Sequence, residues 1–93
     1  MALKPALRIV LAPLGRQNAH GMQQGRVVWV DPRSPSPART LLHELIHIER
    51  PRWSETRVIR ETASRWGGMD WRAKARLLLL LGRARIGRAS EIE

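Results

Sequence analysis

The sequence predicts an α+β fold: a small antiparallel sheet of two or three strands packed on a central helix that two further helices follow. Three observations point there. Two short β-branched stretches, Ala6 to Leu11 and Arg26 to Asp31, precede any helical pattern. A run from Pro37 to Arg50 is apolar on nearly every side of a helical wheel, apart from one window that holds His43 and His47. Two later segments, Glu55 to Trp66 and Trp71 to Leu81, each have a cap residue before them and glycine after them.

In chain order, Ala6 to Leu11 (ALRIVL) reads as a strand closed by Pro13 and Gly15. Gly15 to Gly25 is polar and bounded by glycine, so it reads as a loop between strands. It carries His20, read as a solvent-exposed loop residue because nothing near it supplies a second ligand; contact with a metal or substrate is the alternative. Arg26 to Asp31 (RVVWVD) is the clearest strand and is expected to pair antiparallel with the first. Pro32, Pro35 and Pro37 stiffen the crossing to the helix, which Ser36 caps with Pro37 at its first position. Pro51 stops that helix at Arg50. Ser54 caps the second helix, whose apolar face is Ile59, Thr62, Ala63 and Trp66, and Gly67-Gly68 ends it. Asp70 caps the third, where Trp71 and five consecutive leucines supply surface to pack. Residues 83–93, mixed in charge and without periodicity, are expected to be a frayed tail of the single domain spanning 1–93.

Composition narrows the chemistry. With no cysteine there are no disulfides and no thiolate zinc ligands, so a metal must be held by His, Asp or Glu. No apolar stretch approaches the ~20 residues needed to span a bilayer, and Lys4, Pro5 and Arg8 interrupt the N-terminal segment. A soluble, cytoplasmic protein without membrane contact is expected. The formal charge is +9, from 17 Lys and Arg against 8 Asp and Glu. Arg50 to Arg88 holds eleven basic residues and three acidic ones, which opens the possibility of nucleic-acid contact through that half.

Thr40 to Glu49 (TLLHELIHIE) carries the chemistry. His43 and His47, four apart on one helical face, can reach a single ion, and Glu44 between them can act as general base on a water. Two imidazoles and a carboxylate in an apolar core without a metal would carry a desolvation cost of several kcal/mol. A third ligand has to come from elsewhere. Glu55 and Glu61 both lie on the following helix. Glu55 is in line with Ile59, Thr62 and Trp66 on the inward side, and the helix dipole favours a carboxylate in the first turn whether or not it binds metal. Glu61 lies roughly 240° further round among Arg57, Arg60 and Arg65, where ion pairing explains it.

A strand, a loop, a strand ending in Val-Asp-Pro, then Thr-Leu-Leu-His-Glu-Leu-Ile-His and a short turn into Trp-Ser-Glu resemble the small zincin metallopeptidases. Most similar is the gluzincin branch in its minimal form, with the short HExxH domains of phage and mobile-element regulators. The resemblance covers about Val27 to Trp66. It implies a sheet lying over the site helix, Zn2+ bound by His43 and His47, Glu44 as the catalytic residue, and Glu55 completing the metal site. His47 is followed by Ile48-Glu49-Arg50 rather than by the spacing of a third histidine, which removes the metzincin class.

The expected activity is zinc-dependent hydrolysis of a peptide or protein substrate. A water in the fourth zinc position, with its pKa lowered towards about 7, loses its proton to Glu44 and attacks a polarised carbonyl. Arg26 to Val30 is the candidate edge for an extended substrate. The competing expectation is a basic nucleic-acid-binding or regulatory module with a structural or vestigial zinc site. There Trp53, Trp66 or Trp71 would stack on bases, against the simpler reading that they fill the core.

Overall fold

Valine, isoleucine and tryptophan fit the pleated surface of a sheet, and the runs that hold them are strands in the computed structural model, which describes residues 6–15 and 19–92. The strands are β1 (Arg8–Leu11), β2 (Gly21–Gln24), β3 (Val27–Val30) and β4 (Arg85–Ile86). Three helices lie between β3 and β4: α1 (Pro37–Glu49), α2 (Glu55–Gly68) and α3 (Trp71–Gly82). A single 3-10 turn, Ala89–Glu91, follows β4. Strands and helices thus form an α+β fold with one small mixed sheet.

The sheet corrects the expected antiparallel arrangement. Its order is β2-β3-β1-β4, with β1 parallel to both β3 and β4 and only β2 antiparallel to its neighbour. β2 occupies part of the stretch expected to be loop; Arg16 to Asn18 of that stretch lie outside the described residues. Gly25, at φ 56°, and Arg26 make the tight turn from β2 into β3, so Arg26 is a turn residue and not the first of a strand. β3 therefore sits between two strands. Arg26 to Val30 cannot be the edge that receives a substrate, because its backbone groups are engaged on both sides; β2 is the outer strand.

Alternation along β1 and β3 divides the core between the two faces of the sheet. Val28 and Val30 point to the helices, joining Leu41, Leu42, Ile46, Val58, Leu77 and Leu81 in one buried cluster, with Ile9 and Leu11 packed against it. Val10 and Trp29 point the other way, with Ala12 and Leu14, and Ala89 and Ile92 pack over them. The segment expected to fray, up to residue 92, is therefore used: β4 extends the sheet and the 3-10 turn covers its far face. Residue 93 and the N-terminal residues 1–5 lie outside the described residues.

Local signals set the helix ends. The Ser54 hydroxyl accepts from Arg57 N–H at 3.2 Å, and the Asp70 carboxylate accepts from Ala73 N–H at 2.9 Å. Ser36 does not cap α1 through its side chain; Pro37 at the first position has no N–H to leave unsatisfied, and its fixed φ suits the helix start. α1 packs against β2, β3, α2 and α3. On α2 the buried residues are Val58 and Thr62, while Ile59, expected inside, is 53% exposed. On α3 only Leu77 and Leu81 are buried, and Trp71, expected to pack, is 73% exposed. Among the described residues no helix is long and apolar enough to cross a membrane.

Candidate metal centre

The site begins with the spacing of α1. His43 and His47 are one helical turn apart, and their Nε2 atoms lie 3.2 Å from each other. Pro51 breaks the helix, the chain turns back, and Ser54 starts α2 so that Glu55, its first residue, arrives beside both rings. Glu55 Oε1 is 2.7 Å from His43 Nε2, and Oε2 is 2.8 Å from His47 Nε2. One ligand atom from each of the three residues falls in a group spanning 4.8 Å or less. Lone pairs held this close repel unless a proton or a metal ion lies among them. For tetrahedral zinc with His and carboxylate bonds, neighbouring ligand atoms are ~3.3 Å apart; the donors fit such an ion in kind, the two Nε2 atoms match that spacing, and the Glu55 oxygens lie about half an ångström closer to them.

Burial is graded across the group. The histidine side chains are 21% exposed and that of Glu55 is 60% exposed, so the cluster opens to solvent on the α2 side. Glu44 is 8% exposed. Burial first, and the negative charge of Glu55 second, push its carboxyl up to about 7 from an ordinary 4.5, a range in which it can exchange protons near neutral pH. The cleft beside it is lined by His20, Gly21, Thr40, His43, Glu44 and Glu55. Gly21 has a steric reason to lack a side chain, since a Cβ there would lie 2.6 Å from Thr40 Cγ2 and 3.2 Å from Glu44 Cγ. That close approach seats β2 against the start of α1.

Thr62 contributes a constraint that the sequence pattern gave only as part of an apolar face. Its hydroxyl, on a residue only 3% exposed, donates its one hydrogen to Val58 O at 2.7 Å. Towards His43 Nδ1, 3.4 Å away, the same oxygen is therefore the acceptor. A proton on Nδ1 satisfies that contact, and in this tautomer the Nε2 lone pair faces Glu55 and His47. A threonine at this distance from a histidine ring was detectable only once α1 and α2 were known to lie side by side.

Glu61 lies elsewhere. It accepts from Arg65 Nε at 2.9 Å, and the guanidinium of Arg65 also reaches both oxygens of Glu49, at 3.1 Å each. These bonds hold Glu49 below the usual carboxylate range and tie the last turn of α1 to α2. Glu55 thus joins the histidines and Glu61 does not. His20, expected in a solvent-exposed loop, is exposed, yet it lines the cleft with Glu44.

A second buried carboxylate is structural. Asp31, 5% exposed, accepts from Leu14 N–H at 2.8 Å and from Arg33 N–H at 2.9 Å, with the Arg33 guanidinium alongside. Burial raises its pKa, but the bonds from Arg33 and Leu14 outweigh that and bring it down to about 2. The Asp-Pro pair marks the end of β3 in the sequence; the long-range bond to Leu14 carries no local signal.

Among the tryptophans, Trp53 lies under the Arg57 guanidinium at 4.0 Å and near Arg50 at 5.4 Å, and Trp66 lies under the Lys74 ammonium at 4.5 Å. Both are partly buried against the core. Comparison of the chain with protein-family models, with curated proteins and with solved structures found no match.

Proposed function

We propose that the protein is a zinc-dependent peptide hydrolase of minimal zincin type, with His43, His47 and Glu55 holding the metal and Glu44 as its general base. The observation that carries this reading is the convergence of the two Nε2 atoms and the Glu55 carboxylate beside a buried glutamate, at the wall of an open cleft. Bound zinc would supply the Lewis acid that polarises a carbonyl and acidifies water. Glu44 accepts a proton from the attacking water and delivers it to the leaving amine, a role that its buried position in the cleft wall supports. Thr62 keeps the His43 ring in the tautomer that directs Nε2 inward. β2, the outer strand of the sheet beside the cleft, is the edge to which an extended peptide would add as a further strand.

The test is metal analysis of protein purified without added zinc, joined to a peptide-library assay. About one zinc per chain is expected, absent from His43→Ala and retained in Glu44→Gln, with hydrolysis lost in both. Zinc affinity falls at least about tenfold in Glu55→Ala and changes little in Glu61→Ala. No metal in the wild type, and no response to added zinc, would sink the proposal. A cytoplasmic location belongs to the same reading. The alternative, a basic nucleic-acid-binding module with structural zinc, is separated by salt-sensitive DNA binding that survives Glu44→Gln in a chain without peptidase activity.

A further inference from the structure

α3 carries two apolar faces, and the fold uses one. Leu77 and Leu81 enter the core. On an adjoining face Trp71, Ala75, Leu78 and Gly82 recur at intervals of four, three and four residues, the seam that one helix offers to another. Trp71 is 73% exposed, Leu78 58% and Leu79 61%, and Ala75, Leu78, Leu79 and Gly82 line a shallow apolar groove with Arg83 at its end. Arg72, Arg76 and Arg83 lie within ~40° of one another on the wheel, along one flank of this seam. All three are exposed, and none pairs with a carboxylate among the described residues; Arg72 Cζ lies 5.4 Å over the Trp71 ring of the same seam. α3 itself, WRAKARLLLLLG, contains no acidic residue.

We propose that this face of α3 docks an amphipathic helix of a partner protein whose apolar seam is flanked by Asp or Glu. Three features select that occupant. The seam has helical period, so the complementary ridge is helical. Ala75 within the seam and Gly82 at its end are small positions where a partner backbone can come close; a bilayer surface would reward bulk there instead. A partner that covers this flank has to set negative charge opposite the three arginines, which α3 itself does not supply. That requirement disfavours a second copy of this chain, whose α3 would bring more arginine, while the exposed leucines are surface that nucleic acid has no means to bury.

The test uses the intact chain and two labelled helical peptides of about 20 residues with the same leucine seam, one flanked by Glu and one by Lys, read by fluorescence anisotropy. The Glu peptide binds and the Lys peptide binds at least about tenfold more weakly. Leu79→Glu, and separately the combined Arg72→Glu, Arg76→Glu and Arg83→Glu variant, lose at least about tenfold in affinity for the Glu peptide while circular dichroism and thermal midpoint stay unchanged. The charge-reversed variant then prefers the Lys peptide. Equal binding of both peptides, binding of neither, or indifference to Leu79→Glu overturns the proposal. So does a wild-type dimer that Leu79→Glu dissociates, or capture by anionic vesicles through the same residues without peptide binding.

Discussion

α1 and α3 are helices of similar length, both rich in leucine or isoleucine and both packed against the rest of the fold, yet their polar residues meet opposite fates. On α1 the polar window of His43 and His47 turns towards α2 and meets Glu55 there, while the exposed Glu49 at the helix end meets Arg65. On α3 the arginines stay in water and pair with no carboxylate among the described residues. A buried polar group costs several kcal/mol unless it is matched, so its neighbours are constrained; an exposed cation costs little and constrains nothing in its own chain. Partner groups inside a fold are therefore evidence of what the interior has to solve, and partnerless groups on a patterned face are evidence about what lies outside.

The contrast is broken most severely at Ile46, fully buried on α1. Ile46→Ala should cost about 2–5 kcal/mol in chemical denaturation, through lost burial and the cavity left behind. Asp31 comes next. Its folded pKa of about 2 lies below the ordinary 3.8, so it contributes stability above pH 4 that disappears as pH falls through 2. At neutral pH that contribution is about 2.5 kcal/mol. Asp31→Asn should flatten the acid limb of the stability curve between pH 4 and 2, and an unchanged limb would assign acid sensitivity to other carboxylates.

Thr62→Val sharpens the comparison on the side of the site. It removes the acceptor for His43 Nδ1–H while keeping the shape, and, on the proposed zinc reading, affinity in a competition titration should fall by about 10–100-fold. The smallest effect belongs to α3. Leu79→Ala should move the isolated protein by no more than about 0.5 kcal/mol, because a residue already in water has little burial to lose. A cost near that of Ile46→Ala would mean that this face is covered in solution.

The same reasoning explains what was readable in the sequence. α1 was legible because His43, Glu44 and His47 are defined by spacing within one helix and Pro51 fixes its end. Glu55 was legible because the turn after Pro51 is short and Ser54 sets the first residue of α2. The parallel pairing of β1 with β3 was not, since it depends on β2, and Gly-Met-Gln-Gln holds no β-branched residue to mark it as a strand. Val58 and Ile59 are adjacent β-branched residues, and only the packed position of α2 against α1 decides that the first is inside. The 85–92 segment looks irregular because two residues of strand and one turn of 3-10 helix are too short to show a period.

The pairing of β4 with β1 sets the order in which the sheet can be completed. Val10 meets Arg85 and Leu11 meets Ile86, and Gly87 N–H donates to Leu11 O at 2.8 Å. Joining positions about 75 residues apart carries a loop-closure cost of about 4 kcal/mol, against a ladder only two residues long. Until that contact forms, the flank of β1 is a bare strand edge, open to pairing with another chain. Hydrogen exchange should find the Gly87 amide among the first in the sheet to open and Val28 among the last. Substitutions that loosen this seam would therefore show themselves first as aggregation during refolding, before any change in the centre formed by α1 and α2.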